Sequence, residues 1–383
     1  MRLRLEPELE RFQAEVRAHI SSAMTPELQE KIYTTGVYHD REFTAGLAEK
    51  GWYAADLADG ERLSPFQTQV LIAELHRADA PMYLGETTRM VASVVRQVGT
   101  TFVQERVLEG AAKGDVTIAL GFSEPECGSD VAAASTRAVR DGDDWVINGS
   151  KMFTTNGHIA DYIFLLTRTD PSVPKHKGLT MFLVPTASAG FDAQAVWTLS
   201  GERTNITFYS DLRISDQWRI GEVNAGWQVL LLALEDEHAS GWGPHIARLL
   251  QHAETWAAET TDSFGTARID DPDVRRRLAR AAIEVEVSSL LLHRCAWLEE
   301  TGQKSTAEGP MSKLFSTEAL ERASQDLNEM VGPDALRSPF DPTAPENGQL
   351  QQIMRFSLGT TIYAGTSEVQ RTIIAQRGLG LPR

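Results

Sequence analysis

Leu9, Phe12, Val16 and Ile20 recur at helical spacing with charged residues between them, and this pattern predicts an amphipathic helix over residues 7–22. A second helix is predicted after Ser64-Pro-Phe-Gln67, where Ser64 suits the N-cap, Pro65 the first helical position and Gln67 the return partner of a capping box. Val91, Val94, Val95 and Val98 form a third apolar stripe, and Phe102 to Leu108 a fourth. Near Asp115 the period changes. Thr117 to Leu120, Ser135 to Arg140, Asp144 to Asn148, Tyr162 to Leu166, Leu179 to Val184 and Asn205 to Tyr209 are short, rich in β-branched or aromatic residues, and punctuated by Gly, Asp and Pro. Their spacing predicts a compact antiparallel barrel or sandwich rather than βαβ units. From Ala225 the helical period returns, predicting helices over Val229 to Ala239, Ile246 to Thr260, Val274 to Glu300, Ser312 to Met330 and around Glu368 to Gln376. The expectation is an α+β multidomain chain: an N-terminal α-helical domain (1–114), a middle antiparallel β-barrel or sandwich domain (115–222) and a C-terminal α-helical bundle (223–383).

Composition narrows the partners. A chain of 383 residues buries a substantial core, and 42% hydrophobic with 23% charged residues is ordinary for a globular protein. Lys+Arg 37 against Asp+Glu 53 leaves a net charge of −16, which argues against nucleic acid or an anionic membrane as partner. Such a charge also repels polyanions at long range, so a nucleotide must be held by local donors. Two dissimilar cysteines, Cys127 and Cys295, fit a reducing compartment without disulfides. With no signal-like N-terminus and no apolar run of membrane-spanning length, the expected location is cytoplasmic, and the histidines follow no metal-ligand spacing. No Gly-x-Gly-x-x-Gly follows a strand, which argues against a Rossmann site.

The candidate chemistry concentrates between Ile118 and Asn156. A tight acidic turn, Gly121-Phe-Ser-Glu-Pro-Glu-Cys-Gly-Ser-Asp130, lies at one end, and Trp145-Val-Ile-Asn-Gly-Ser-Lys151 feeds into Met152-Phe-Thr-Thr-Asn156 at the other. Ser123, Gly128, Ser129, Thr154 and Thr155 supply hydroxyls and open backbone N–H groups beside one ring, Phe153, a surface suited to a flat ligand with polar edges. Composition alone fits a turn-rich hairpin equally well.

Three motifs in order carry a resemblance to the acyl-CoA dehydrogenase family over essentially the whole chain from residue 5: Ser123-Glu-Pro-Glu-Cys-Gly-Ser-Asp130, the strand from Trp145 entering Phe153-Thr-Thr-Asn156, and Tyr363-Ala-Gly-Thr-Ser-Glu-Val-Gln-Arg371. The resemblance implies an FAD enzyme that converts an acyl-CoA thioester to a trans-2-enoyl-CoA and passes electrons to an electron-transfer flavoprotein. It implies flavin contacts from Phe122, Ser123, Gly128, Ser129, Phe153, Thr154, Thr155, Thr366 and Glu368, and substrate contacts from Ser129, Ala364 and Gly365. The thioester carbonyl would be polarised by a backbone N–H of the C-terminal motif and a flavin hydroxyl. Cys127 is read as a small turn residue rather than a redox thiol.

The departures bear on mechanism. Many family members carry their base as a Glu where this chain has Ala364, which keeps the backbone N–H but cannot take a proton. Others place it on the first helix of the C-terminal domain, and the matching stretch is Leu234-Glu-Asp-Glu237-His238. Periodicity does not choose among Glu235, Asp236 and Glu237; the resemblance selects Glu237 as base, with Leu230, Ala233 and Leu234 behind it and Ser240 and Gly241 leaving room ahead. His238 either tunes that carboxylate or fills the space of the usual Arg. Thr261 replaces an Arg before Phe264-Gly265, and Glu329 to Ala335 replaces a glycine-rich adenosine contact, as in some actinobacterial enzymes of steroid side-chain breakdown. The resemblance therefore implies either a homo-oligomer, dimer or tetramer, or a heterotetramer with a second chain of the family. The short Asp56 to Gly60 loop and Ala364 leave room for a bulky, branched or steroid side-chain acyl group. A non-catalytic partner subunit and a flavin oxidase or monooxygenase are the rival readings.

Overall fold

The computed structural model describes residues 6–58, 60–237, 241–303 and 305–382. Among the described residues six α-helices come first: α1 (Pro7–Ala23), α2 (Pro26–Thr35), α3 (Arg41–Glu49), α4 (Pro65–Arg77), α5 (Tyr83–Val98) and α6 (Thr101–Lys113). α1 buries Leu9, Val16 and Ile20 along one stripe, as the spacing predicts. At α4 both bonds of the capping box form: the Ser64 hydroxyl accepts the Gln67 N–H, and the Gln67 side chain accepts the Ser64 N–H. Helices α2 and α3 lack a long apolar stripe. Their ends are set by Thr25 and Asp40, whose side chains accept the N–H groups of Leu28 and Phe43.

Eight strands follow: β1 (Ile118–Gly121), β2 (Arg137–Asp141), β3 (Asp144–Lys151), β4 (Tyr162–Arg168), β5 (Leu179–Pro185), β6 (Phe191–Trp197), β7 (Arg203–Ser215) and β8 (Arg219–Ile220). They form one sheet in the order β6-β7-β3-β2-β4-β5-β8. Pairing is antiparallel except that β1 lies parallel to β4 and β2 touches β4 in parallel at Arg137 and Arg168. β4 and β5 are buried along nearly their whole length, so both of their faces are covered. β6 escapes a sequence reading because most of its residues are exposed or half-exposed and it carries little apolar signal. Trp145, Ile147, Ile163, Leu165, Phe182, Val184, Tyr209 and Leu212 make the core against this sheet, joined by Leu84 of α5.

The remaining helices are α7 (Gly226–Glu237), α8 (Gly243–Glu259), α9 (Pro272–Glu300), α10 (Glu308–Val331), α11 (Gln349–Thr360) and α12 (Ser367–Ile373). A second core forms where α8, α9, α10 and α11 meet, around Ile246, Leu249, Leu278, Leu320, Leu327 and Ile353. Compactness cuts across chain order. One unit contains Thr25–Arg62 with Pro81–Glu237, hence the sheet and α7; the other contains α1, α4 and the helices after α7. Among the described residues no helix is long and apolar enough to cross a membrane, and no cluster of three metal-ligating side chains occurs.

Candidate active site

In the unit containing the sheet, the acidic turn and the loop after β3 are stapled together by one buried ion pair. Glu124 and Lys151 approach to 2.8 Å with their side chains 4% and 0% exposed. Glu124 also accepts the Ser135 N–H and hydroxyl, each at 2.7 Å, and the Thr136 N–H at 2.8 Å. Lys151 reaches the Phe122 carbonyl at 3.1 Å, and the Met152 N–H donates to the Ser123 carbonyl at 2.8 Å. Burial pushes the Glu124 carboxyl up, but the Lys151 charge and the bonds from Lys151 and Ser135 outweigh it and hold the group at about 2. For Lys151 burial wins: it lies below its ordinary value despite the attraction of Glu124. The pair is therefore bound by geometry more than by net electrostatic gain.

The loop after β3 presents one ring and one hydroxyl. Phe153 has φ 61 and is 60% exposed. A non-glycine residue keeps that left-handed conformation only where its surroundings enforce it. Here Asn205 does so, accepting the Thr154 N–H and donating to the Thr154 carbonyl, both at 2.9 Å. Thr154 is fully buried, its hydroxyl 3.3 Å from that of Thr207, whereas Thr155 faces outward with its hydroxyl 3.3 Å from Thr204. Of the three expected flavin contacts in this loop, Phe153 and Thr155 offer side chains, and Thr154 anchors them. Asn205, which no motif pointed to, is the residue that sequence reasoning missed; β7 carries many polar residues, so no local signal sets Asn205 apart.

On the acidic turn, Ser123 is half-buried, Gly128 and Ser129 are exposed, and nothing lies within 4 Å of the position a Gly128 Cβ would take. The Phe122 ring packs edge-on to Phe164 at 5.8 Å. Cys127 is buried, and burial followed by the nearby Glu124 pushes its thiol up, as suits a packing residue. The backbone of Glu237 is the last residue of α7, with Leu230 and Ala233 buried behind it. The side chains of Glu235, Asp236 and Glu237, and the whole of His238 and Ser240, lie outside the described residues.

The other unit holds the C-terminal motif. Ala364 and Gly365 are consecutive left-handed residues, φ 53 and 81, followed by Thr366, which caps α12 by accepting the Val369 N–H. Thr366 and Glu368 line a groove of about 450 Å3 together with Glu318, Glu321, Arg322 and Arg371. The buried Ser367 hydroxyl, also on this groove, meets no partner among the described residues. In this same unit Phe264 sits 91% exposed on a turn whose N–H groups, those of Phe264 and Thr266, bond to the Asp262 carboxylate.

Residues 6–115, 119–216 and 224–379 match the N-terminal, middle and C-terminal domains of acyl-CoA dehydrogenase. The chain belongs to the acyl-CoA dehydrogenase family. Acyl-CoA dehydrogenase FadE26 of Mycobacterium tuberculosis is 35% identical over 401 residues, with 100% of this chain and 99% of the relative covered. FadE29 of the same organism is 30% identical, with 99% and 98% covered. Among solved structures, the ChsE4-ChsE5 complex from Mycobacterium tuberculosis aligns at a TM-score of 0.92 with 35% identity, and the Tcur3481-Tcur3483 steroid ACAD at 0.93 with 32%; both alignments cover 100% of this chain and of the other.

An acyl-CoA dehydrogenase acts as an oxidoreductase on acyl-CoA with a flavin, and the residues present fit that group. Within the unit containing the sheet, the outward ring of Phe153, the open approach at Gly128 and the exposed hydroxyls of Thr155 and Ser129 suit a planar ring with polar edges; in the other unit the Ser367 hydroxyl meets no partner among the described residues.

Proposed function

We propose that this chain catalyses the FAD-dependent α,β-dehydrogenation of an acyl-CoA thioester to the trans-2-enoyl-CoA. In this reading Glu237 is the base, an electron-transfer flavoprotein is the acceptor, and the acyl group is bulky, branched or derived from a steroid side chain. The observation that carries it is the Ala364–Gly365 turn. Its consecutive left-handed residues leave the Ala364 backbone N–H without an acceptor among the described residues, which supports a role as donor to a thioester oxygen, and it carries no carboxylate. The proton must then go to another residue, and Glu237 at the end of α7 is the matched candidate. FAD would be held by Phe122, Ser123, Gly128, Ser129, Phe153, Thr155, Thr366 and Glu368 and would supply the hydride acceptor when bound. Ser129 and Gly365 would contact the thioester, and polarisation of its carbonyl by the Ala364 N–H would make the α proton acidic enough for a carboxylate to remove.

The likeness to a steroid ACAD and to a two-chain complex supports the steroid-derived acyl group and a heterotetrameric assembly; the exposed Phe264, with Thr261 in place of Arg, supports a surface completed by another chain. The test is flavin bleaching under exclusion of air with straight-chain, branched and steroid-derived acyl-CoA thioesters. Glu237→Gln is expected to bind flavin but no longer be bleached, with Glu235→Gln retaining activity. Bleaching that survives in Glu237→Gln overturns the base assignment. A purified chain that never takes up FAD, alone or with a co-expressed relative, favours the non-catalytic partner subunit, the reading to which the absent carboxylate at Ala364 also lends weight.

A further inference from the structure

Two side chains hold the Ala364–Gly365 turn from behind, and the chemistry above does not use them. Lys313 of α10 is 3% exposed, and its ammonium donates to the Gly365 carbonyl at 2.7 Å and to the Thr360 carbonyl at 2.9 Å. Gln370 of α12 is 1% exposed and donates its side-chain amide to the Ala364 carbonyl at 2.9 Å. Two successive carbonyls, on two successive left-handed residues, are thus each fixed by a buried side chain. A Cβ at Gly365 would stand 2.6 Å from the Gln370 amide nitrogen, so this side chain packs directly on the turn. The Trp242 ring, 5.8 Å from the Lys313 ammonium and 6.0 Å from the Tyr363 ring, closes the far side. Among the described residues no acceptor takes the Ala364 N–H.

That geometry has a consequence for the N–H. The Ala364 N–H lies on the Tyr363–Ala364 peptide; if Ala364 left the left-handed region, its φ would change and that N–H would swing relative to the two carbonyls that Gln370 and Lys313 hold. An ammonium is a strongly solvated group, and the solvation it loses on burial is offset through bonds such as those to the Thr360 and Gly365 carbonyls, which fix donor and acceptors together. A charge-assisted bond to Gly365 and a neutral bond to Ala364, both from rigid helices, are such a hold.

We propose that Lys313 and Gln370 are positioning residues for the thioester carbonyl: they lock the Ala364–Gly365 turn so that the Ala364 N–H is aimed at the oxygen on which negative charge develops. This rests on the acyl-CoA reading above.

The test uses the flavin-loaded chain with Lys313→Met, which keeps the stem and removes the donors, and Gln370→Met, which removes the second bond alone. The direct readout is the infrared stretch of a trans-2-enoyl-CoA carrying 13C at the thioester carbonyl, bound to each protein. Wild type is expected to lower that frequency relative to free thioester, and both variants to move it back toward the free value. The rate of flavin bleaching is expected to fall roughly 10- to 100-fold, less than loss of a whole oxyanion donor, with KM changed far less. If Lys313→Met does not accumulate as folded protein, Gln370→Met carries the test. Variants that lose folded protein or flavin but keep the wild-type frequency overturn the inference, leaving a structural role. A wild-type chain that shifts no thioester of the panel removes the acyl-CoA reading, and the inference with it.

Discussion

The Glu124–Lys151 pair gives the sharpest energetic prediction. Glu124 falls from an ordinary 4.5 to about 2, so its ionisation contributes about 3 kcal/mol at neutral pH. That contribution is present above pH 4.5 and is lost as the pH falls toward 2, because the unfolded carboxylate takes up its proton first. Lys151, pulled below its ordinary value by burial, offsets part of it. The pair as a whole therefore adds less than the carboxylate alone implies, yet either half left by itself is costly. In Glu124→Gln the buried ammonium keeps the Phe122 carbonyl, at an expected cost of about 3–5 kcal/mol. In Lys151→Met the carboxylate keeps the Ser135 and Thr136 donors, and the cost is about 2 kcal/mol. The double variant buries no charge, so it is expected to be at least about 2 kcal/mol more stable than the sum of the two singles predicts. Urea unfolding at pH 7, followed by tryptophan fluorescence, measures all four corners of the cycle. Lys151→Met is also expected to unfold at a higher pH on acidification, since Glu124 loses its main charge partner. Additivity within about 0.5 kcal/mol would refute the argument that the two loops are held by this coupling.

Two further outcomes follow from burial and backbone geometry. Phe153→Gly relieves a left-handed conformation worth about 1 kcal/mol while removing a ring that packs on little of its own chain. The melting temperature is expected to stay level or rise while flavin is retained up to roughly tenfold less tightly, and a lower melting temperature with unchanged flavin retention would contradict this. His245 is stacked on Phe356 at 5.0 Å and lies 4.8 Å from His76; burial, then the charges of His76 and Arg248, hold it well below the ordinary 6.5. The native protein thus leaves it neutral where the unfolded chain protonates it, and stability is lost as the pH falls below 6.5, by up to about 1.4 kcal/mol per pH unit. His245→Phe is expected to flatten that slope between pH 6.5 and 5; parallel stability curves for variant and wild type would count against it.

Much of the architecture is legible from periodicity. The stripe of α1, the capping box of α4 and the long helices α9 and α10 follow from apolar spacing and local caps, which act within one or two turns. The turn at Glu124 and the loop at Phe153 are visible as motifs, but their function comes from resemblance rather than from spacing. Elements with weak patterns, such as β6 and α11, are not legible, because long-range pairing or packing on a few residues such as Leu350 and Ile353 stabilises them.

The sequence by itself determined the plan of helices, then strands, then helices, the family and the missing carboxylate at Ala364, since these are matters of which residue stands where. Only the tertiary structure decided that Thr154 supports while Phe153 and Thr155 face outward, that Lys151 is the partner of Glu124, and that Lys313 and Gln370 grip the Ala364–Gly365 turn. Those contacts join residues 27 to 53 positions apart, save Gln370 with Ala364, six positions away across a turn. No local pattern encodes them; burial of a charged or polar group selects its partner from whatever the fold brings within reach.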